Sequence, residues 1–135
     1  MAVSTAPVPY LLLPGTAREA LTHWAAVFGG ETQMVTYEQF GRTDGSAEAI
    51  AHGQLSGPVT LYASDAAPGE TPFAAQGLMM SLLGTADPGT LRRWFDALAD
   101  GGEVLDDLQV RPWGDSDGQV RDRLGVTWLI GHQNP

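Results

Sequence analysis

Hydrophobic and polar positions along the chain repeat one order of elements: a strand, a helix, then three strands. In the first half, the apolar segment 8–14 (VPYLLLP) is bounded by prolines and predicts a strand. Segment 17–28 places its apolar side chains on one helical face, and a double glycine ends that helix. Thr16 and Glu19 have the spacing of a capping box at its start. Three further strands are predicted at 31–40, 49–55 and 59–64.

The second half follows the same order after a connector over residues 66–76 that contains proline and glycine. An apolar strand is predicted over 77–84, and Asp87-Pro88 opens a helix because proline suits the first helical turn. Strands at 103–110, 118–122 and 126–132 complete this half.

Sequence identity between the halves supports an internal duplication. Gly29-Gly30-Glu31 and Gly101-Gly102-Glu103 both leave a helix and begin a strand, and Gly53-Gln54-Leu55 matches Gly118-Gln119-Val120 in the same order. The sequence therefore predicts an α+β fold of two tandem βαβββ modules, about 8–65 and 77–132. One module alone would leave a sheet face unpacked, so we expect both modules to form a single domain over residues 1–135.

Composition narrows the classes of partner. The 16 acidic and 7 basic side chains give a net charge of −9, which repels phosphate backbones and anionic membrane surfaces, so neither nucleic acid nor membrane is expected as a partner. No cysteine is present, which excludes disulfides and thiolate chemistry. The first basic residue is Arg18, and the apolar run that begins at Tyr10 stops at Pro14. We expect a soluble, cytoplasmic protein.

Three stretches carry a resemblance to a known family: PYLLLPGTAREALTHWAAVFGGE, AHGQLSGPVTLYASD and GGEVLDDLQVRPWGDSDGQVRDRLGVTWLI. Over residues 8–131 the chain resembles the PhnB-like branch of the vicinal oxygen chelate superfamily. That superfamily includes glyoxalase I, extradiol dioxygenases and bleomycin-resistance proteins, and the branch is sometimes labelled 3-demethylubiquinone methyltransferase-like. The resemblance implies a glyoxalase-like curved mixed sheet built from both modules.

Three departures from the family pattern limit what the resemblance implies about substrates. The aromatic pair of the first helix is His23-Trp24 here. The late Trp-Gly-Asp-Arg-Phe-Gly segment reads WGDSDG over 113–118, and the Asp-Pro-Phe-Gly turn reads Asp122-Arg123-Leu124-Gly125. The substrate class of the family is therefore not carried over to this chain.

Metalloenzymes of this superfamily take His and Glu ligands from the first and fourth strands of each module. By strand order, those positions fall here near residues 9–10, 61–62, 79–80 and 128–129, where proline, leucine, tyrosine, methionine and tryptophan stand. None of these side chains supplies an imidazole or a carboxylate. We therefore expect the superfamily metal site to be absent. We also expect no cofactor, since no glycine-rich nucleotide loop follows a strand.

The three histidines are the remaining metal-ligand candidates. His23 is predicted on the outer surface of the first helix, and His132 in the C-terminal tail. His52 lies in the third strand, and its counterpart in the repeat is Asp117. We interpret His52 as a structural residue at a strand end. Contact with a ligand or an interface is the first alternative for His52, and metal ligation is the second.

Other candidate groups point to recognition of a ligand. Trp113 and Asp115 could contact a polar aromatic or cationic molecule. The preferred interpretation is structural: Trp113 covers the end of the sheet, and Asp115 caps a turn. Asp65 and Asp122 have the pattern of turn-forming Asx residues. The sheets would be lined by apolar and aromatic side chains, which fit either a small-molecule pocket or a filled core. The candidate ligand-binding residues are Tyr10, His52, Tyr62, Met80, Trp113, Asp115 and Trp128.

Three hypotheses for the function follow. The first is a metal-independent PhnB-like protein that binds a small apolar or aromatic molecule between its sheets. The second is an enzyme of the same superfamily, of lyase or dioxygenase type, whose unusual site involves His52, Trp113 and Asp115. The third is a structural or regulatory protein without a ligand. A homodimer is expected in all three, because superfamily members often complete their sheets or sites across two chains.

Overall fold

The same succession of elements, strand–helix–three strands, occurs twice along the chain, as the duplication predicts. The computed structural model describes residues 6–74 and 76–135. The elements are β1 (Tyr10–Leu13), α1 (Ala17–Phe28), β2 (Glu31–Thr36), β3 (Ile50–Ser56), β4 (Leu61–Asp65), β5 (Met80–Leu83), α2 (Pro88–Ala99), β6 (Glu103–Val110), β7 (Ser116–Arg121) and β8 (Thr127–His132). The α+β class and the two tandem βαβββ modules are confirmed.

Contacts divide the chain into two compact units, which we call unit 1 (residues up to Phe73) and unit 2 (residues from Ala74). The division falls inside the predicted connector 66–76. Each unit has its own four-stranded mixed sheet and one helix. Neither helix in the described part of the chain is long and apolar enough to cross a membrane.

The sheet of unit 1 has the strand order β1-β4-β3-β2, with β1 parallel to β4 and the other pairs antiparallel. Helix α1 buries Leu21 and Trp24 completely. The helix does not begin as the capping-box spacing predicts: the Thr16 side chain makes no capping hydrogen bond. The backbone N–H of Ala17 donates instead to the carboxylate of Asp65, at the end of β4. The predicted strand 31–40 also ends early, at Thr36, where the chain turns and buries Tyr37.

The sheet of unit 2 repeats this arrangement in the order β5-β8-β7-β6, with β5 parallel to β8. Helix α2 begins as the sequence predicts. The Asp87 side chain accepts a hydrogen bond from the backbone N–H of Thr90, and Pro88 occupies the first helical position. The pairing of β6 with β7 shifts register between Asp106 and Gln109. Arg111 spans that irregularity with ion pairs to Asp106 and Asp117.

The repeated Gly-Gly pairs have a steric cause in both units. A Cβ on Gly30 would collide with the backbone oxygen of Ser56, and one on Gly102 would collide with the backbone oxygen of Arg121. Each second glycine therefore allows the chain leaving the helix to approach the backbone of another segment of its own unit.

Candidate functional site

The two faces of the unit 1 sheet differ in what covers them. Leu11, Leu13, Leu61 and Ala63 are buried at alternate positions of β1 and β4. A Cβ on Gly53 would collide with the Leu21 side chain of α1, so this set of positions faces the helix. Because side chains alternate along a strand, the intervening residues point to the other side of the sheet, which we call the helix-distal face. The intervening residues of β1, β3 and β4 include Tyr10, His52, Gln54 and Tyr62.

Three rings meet on the helix-distal face. Tyr10 and Tyr62 are direct partners in the parallel β1–β4 pair, with ring centroids 6.2 Å apart and ring planes at 67°. The His52 ring lies 5.6 Å from the Tyr10 ring and 5.7 Å from the Tyr62 ring. These separations lie within the range of favourable aromatic contacts. We call Tyr10, His52 and Tyr62 the aromatic cluster.

A chain of hydrogen bonds fixes the orientation of the His52 ring. The Tyr10 hydroxyl lies 3.0 Å from His52 Nδ1, and His52 Nε2 lies 3.4 Å from Gln54 Oε1. The Gln54 amide nitrogen in turn donates to Gln33 Oε1 at 3.2 Å. Because an amide oxygen can only accept, the arrangement assigns the proton of the neutral imidazole to Nε2. Nδ1 then accepts from the Tyr10 hydroxyl.

The aromatic cluster combines ring faces with polar groups at its edge. Tyr10 is 46% exposed, and His52 and Tyr62 are half-buried. Such a surface can stack against a flat ring and hydrogen-bond its substituents, which is the usual combination at small-molecule sites. Within residues 6–74 and 76–135, no three His, Asp or Glu side chains are grouped so as to hold a metal ion.

The position of His52 differs from the preferred sequence interpretation. His52 is the third residue of β3 rather than a strand-end residue, and it contacts two aromatic partners. The other two histidines also differ from expectation. His23 is half-buried on α1, and His132 is the last residue of β8 rather than part of a tail.

Met80 and Trp128, two further candidate ligand-binding residues, are direct partners in the parallel β5–β8 pair. Their side chains share a face with the buried Leu82 and Ile130, however. Trp128 is 1% exposed and donates its indole N–H to Asp122 Oδ2 at 2.8 Å. Trp128 is therefore a core residue of unit 2, and its burial does not support the predicted role in ligand binding.

Trp113 and Asp115 lie in the turn between β6 and β7. Trp113 is 67% exposed, so it does not plug the end of the sheet. The turn is closed by the backbone, since the Arg111 N–H donates to the Asp115 carbonyl at 2.7 Å. The Asp115 side chain does not cap the turn and instead borders a cavity of unit 2. The structure describes these two residues in unit 2 and His52 in unit 1.

The two Asx predictions have different outcomes. Asp122 Oδ1 accepts from the backbone N–H of Leu124 and Val126, which confirms its role in a turn. Asp65 instead binds the distant backbone N–H groups of Ala17 and Ile50. Gln33 and Gln54 did not appear among the sequence candidates. Side chains alternate between the two faces of a strand, so Gln54, two residues after His52 in β3, shares its face. That spacing was the signal that could have identified Gln54.

Comparison with known proteins places the chain among proteins of the predicted fold. No family model matches it. The solved structure of PA1353 from Pseudomonas aeruginosa is 31% identical and superposes with a TM-score of 0.80, covering 98% of this chain and 100% of that one. Protein YjdN from Escherichia coli K12 is 28% identical, with 90% of this chain and 91% of YjdN aligned.

Two further structures are similar in fold. The PhnB protein from Bacillus cereus is 18% identical with a TM-score of 0.74, covering 95% of this chain and 99% of that one. A glyoxalase/bleomycin resistance protein from Albidiferax ferrireducens T118 is 12% identical with a TM-score of 0.59, covering 97% and 100%. The chain therefore belongs to the family of PA1353 and has the PhnB-like fold of the glyoxalase/bleomycin resistance superfamily.

Proposed function

We propose that this protein binds a small aromatic molecule without a metal ion, and that the aromatic cluster of unit 1 contacts it. The observation that carries the proposal is the meeting of three rings on one sheet face, with centroids 5.6 to 6.2 Å apart and one ring 46% exposed. A partly exposed aromatic surface gains free energy when a flat apolar ring covers it.

The polar groups of the cluster favour a ring that carries a polar substituent. His52 is held by Tyr10 on one side and lies 3.4 Å from Gln54 on the other, so the ring edges and amide groups are already oriented before a ligand arrives. Preorientation reduces the entropic cost of binding. A phenol or an aromatic carboxylate fits this combination better than an aliphatic compound of the same size.

Binding is tested by titrating the full chain with benzoate and phenol in the presence of a chelator, with cyclohexanecarboxylate as the non-aromatic match. We expect a rise in melting temperature with the aromatic compounds. Replacing Tyr62 by leucine or His52 by alanine should weaken binding roughly two- to twelvefold, the range measured for a single aromatic contact.

The matched control is Phe40→Leu, which removes an exposed aromatic ring elsewhere in unit 1. Affinity should be unchanged in that variant. Equal binding of cyclohexanecarboxylate, unchanged affinity in both cluster variants, or a requirement for metal would each refute the proposal. Formation of a product that depends on His52 would favour the enzyme hypothesis instead.

We also propose a homodimer, on the basis of the fold that the chain shares with its superfamily. Light scattering should then give twice the 14.3 kDa chain mass. A monomer at micromolar concentration would refute it.

A further inference from the structure

Unit 2 differs from unit 1 at one corner, where the helix begins and the parallel strand pair ends. Gly53 of β3 pairs with Ala63 of β4, and its counterpart Gly118 of β7 pairs with Ile130 of β8. Two residues further along the fourth strand, Asp65 in unit 1 therefore corresponds to His132 in unit 2. On the third strand, Ile50 lies three residues before Gly53 and Asp115 lies three residues before Gly118, so Ile50 corresponds to Asp115.

In unit 1, hydrogen bonds join the end of β4 to the start of α1 and to the start of β3. The Asp65 carboxylate accepts from the backbone N–H of Ala17 and of Ile50, at 2.9 and 2.8 Å. In unit 2 the start of α2 is capped by Asp87, the residue immediately before the helix. His132, at the end of β8, is therefore not needed as the cap. His132 Nδ1 lies near the neighbouring Gln133 carbonyl at 3.2 Å.

A cavity of about 550 Å³ opens at this corner of unit 2. Its apolar wall comes from Leu83 at the end of β5 and from Ala86 and Pro88 at the start of α2. Its polar wall includes Asp115 and His132. The volume lies within the range of pockets that hold small organic molecules, and an apolar wall facing a few polar groups is their usual lining.

The charges around the cavity favour a cation. Asp117 also borders the cavity, but its carboxylate is already paired with Arg111 at 2.7 Å. The side chain of Asp115 receives no hydrogen bond or ion pair from the part of the chain that the structure describes. The partial positive charge at the start of α2 is already met by the Asp87 carboxylate. The net charge of −9 adds to the attraction for cations.

We propose that this cavity binds a small organic ammonium ion. The ammonium group pairs with the Asp115 carboxylate, and the hydrocarbon part of the ligand contacts Leu83, Ala86 and Pro88. The lining of the cavity shares no residue with the aromatic cluster, so this proposal does not depend on the function proposed for the cluster.

The test is a titration of the ¹⁵N-labelled full chain with cyclohexylmethylammonium, followed by amide NMR. Cyclohexylacetate is the control ligand, because it has the same ring and the opposite charge. We expect shifts at the amides of Gly84, Asp115 and His132 with the ammonium compound and none with the carboxylate. Asp115→Asn should weaken binding about tenfold, because the charge-assisted hydrogen bond is lost.

Two control variants separate this site from other effects. Asp107→Asn removes the same charge from an exposed position of β6 and should leave affinity within about twofold, since a single exposed charge is screened. His52→Ala should also bind normally, which distinguishes the cavity from the aromatic cluster. Equal binding of cyclohexylacetate, unchanged affinity in Asp115→Asn, or shifts confined to unit 1 would overturn the proposal.

Discussion

The carboxylate of Asp65 accepts a hydrogen bond from the backbone N–H of Ala17 at 2.9 Å, so the last residue of β4 caps the first turn of α1. Its other oxygen accepts from the N–H of Ile50 at 2.8 Å, where β3 begins. Asp65 is 7% exposed. One buried carboxylate therefore joins a helix start and two strands of unit 1.

Replacing Asp65 by alanine should destabilise the protein by about 2–4 kcal/mol, because two buried backbone N–H groups lose their acceptor. Urea unfolding followed by circular dichroism measures the change in the free energy of unfolding. Asp65→Asn should also destabilise, since the amide has one acceptor oxygen and places its NH₂ group against a donor.

The control for this prediction is Asp107→Asn, an exposed carboxylate whose replacement should change stability by less than about 0.5 kcal/mol. If Asp65→Ala and Asp107→Asn had equal stability, the capping hydrogen bond would contribute nothing measurable.

Tyr37 makes stability depend on pH in the alkaline range. Burial raises the pKa of its phenol above the ordinary tyrosine value, an effect that Arg42 partly opposes and that nearby carboxylates reinforce. The folded state then holds the proton more tightly than the unfolded state does. The resulting stability is present below pH about 10 and is lost as pH rises through the raised pKa.

The measurement is urea unfolding between pH 8 and 11 for the natural chain and for Tyr37→Phe. At pH 8 the variant should be about 1 kcal/mol less stable, because the hydrogen bond from the Tyr37 hydroxyl to the Asp65 carbonyl is lost. Above pH 10 the difference between the two proteins should shrink. A constant difference across the range would contradict the raised pKa.

Trp128 is predicted to be a structural tryptophan of unit 2. Trp128→Phe removes the indole donor from the buried Asp122 carboxylate and reduces the packed volume, so a loss of about 2–4 kcal/mol is expected. Trp113→Phe makes the same chemical change at a side chain that is 67% exposed and should stay within about 0.5 kcal/mol of the natural chain. Equal stability of the two variants would contradict the structural role of Trp128.

The hydrogen bonds of the aromatic cluster predict one tautomer of His52. Side-chain ¹⁵N NMR at neutral or slightly alkaline pH should show the proton on Nε2. Tyr10→Phe removes the donor to Nδ1, so a mixture of both tautomers should appear. Phe40→Leu serves as the control and should leave the spectrum unchanged. A proton on Nδ1 in the natural chain would reverse the direction of the hydrogen bonds described for the cluster.

Local signals in the sequence were sufficient for most of the fold. Gly30 and Gly102 marked both helix ends because each stands where a side chain would collide with backbone. Asp87 and Pro88 marked the start of α2 because the whole cap lies within four residues. The start of α1 was assigned to the wrong cap, because its true partner, Asp65, lies 48 residues away in sequence.

The candidate site was predictable only in part. Tyr10, His52 and Tyr62 were all predicted as candidate ligand-binding residues, and the structure brings their rings together. Met80 and Trp128 were candidates too, but their side chains lie on the face that buries Leu82 and Ile130. A shift of one residue between the repeats reverses the face of every side chain in a strand, and the apolar run over 77–84 has no alternation that would fix the register.

The hydrogen bonds that Asp65 accepts have a consequence for how the two modules of a duplicated chain can come to differ. In unit 1 the last residue of the fourth strand, Asp65, caps the helix, so replacing that residue destabilises the fold. Unit 2 caps its helix with Asp87 of the preceding loop, so the residue at the end of β8 is not needed for that hydrogen bond. After duplication, one module can thus keep the stabilising carboxylate at this corner. The other module can carry different side chains there without a change of fold.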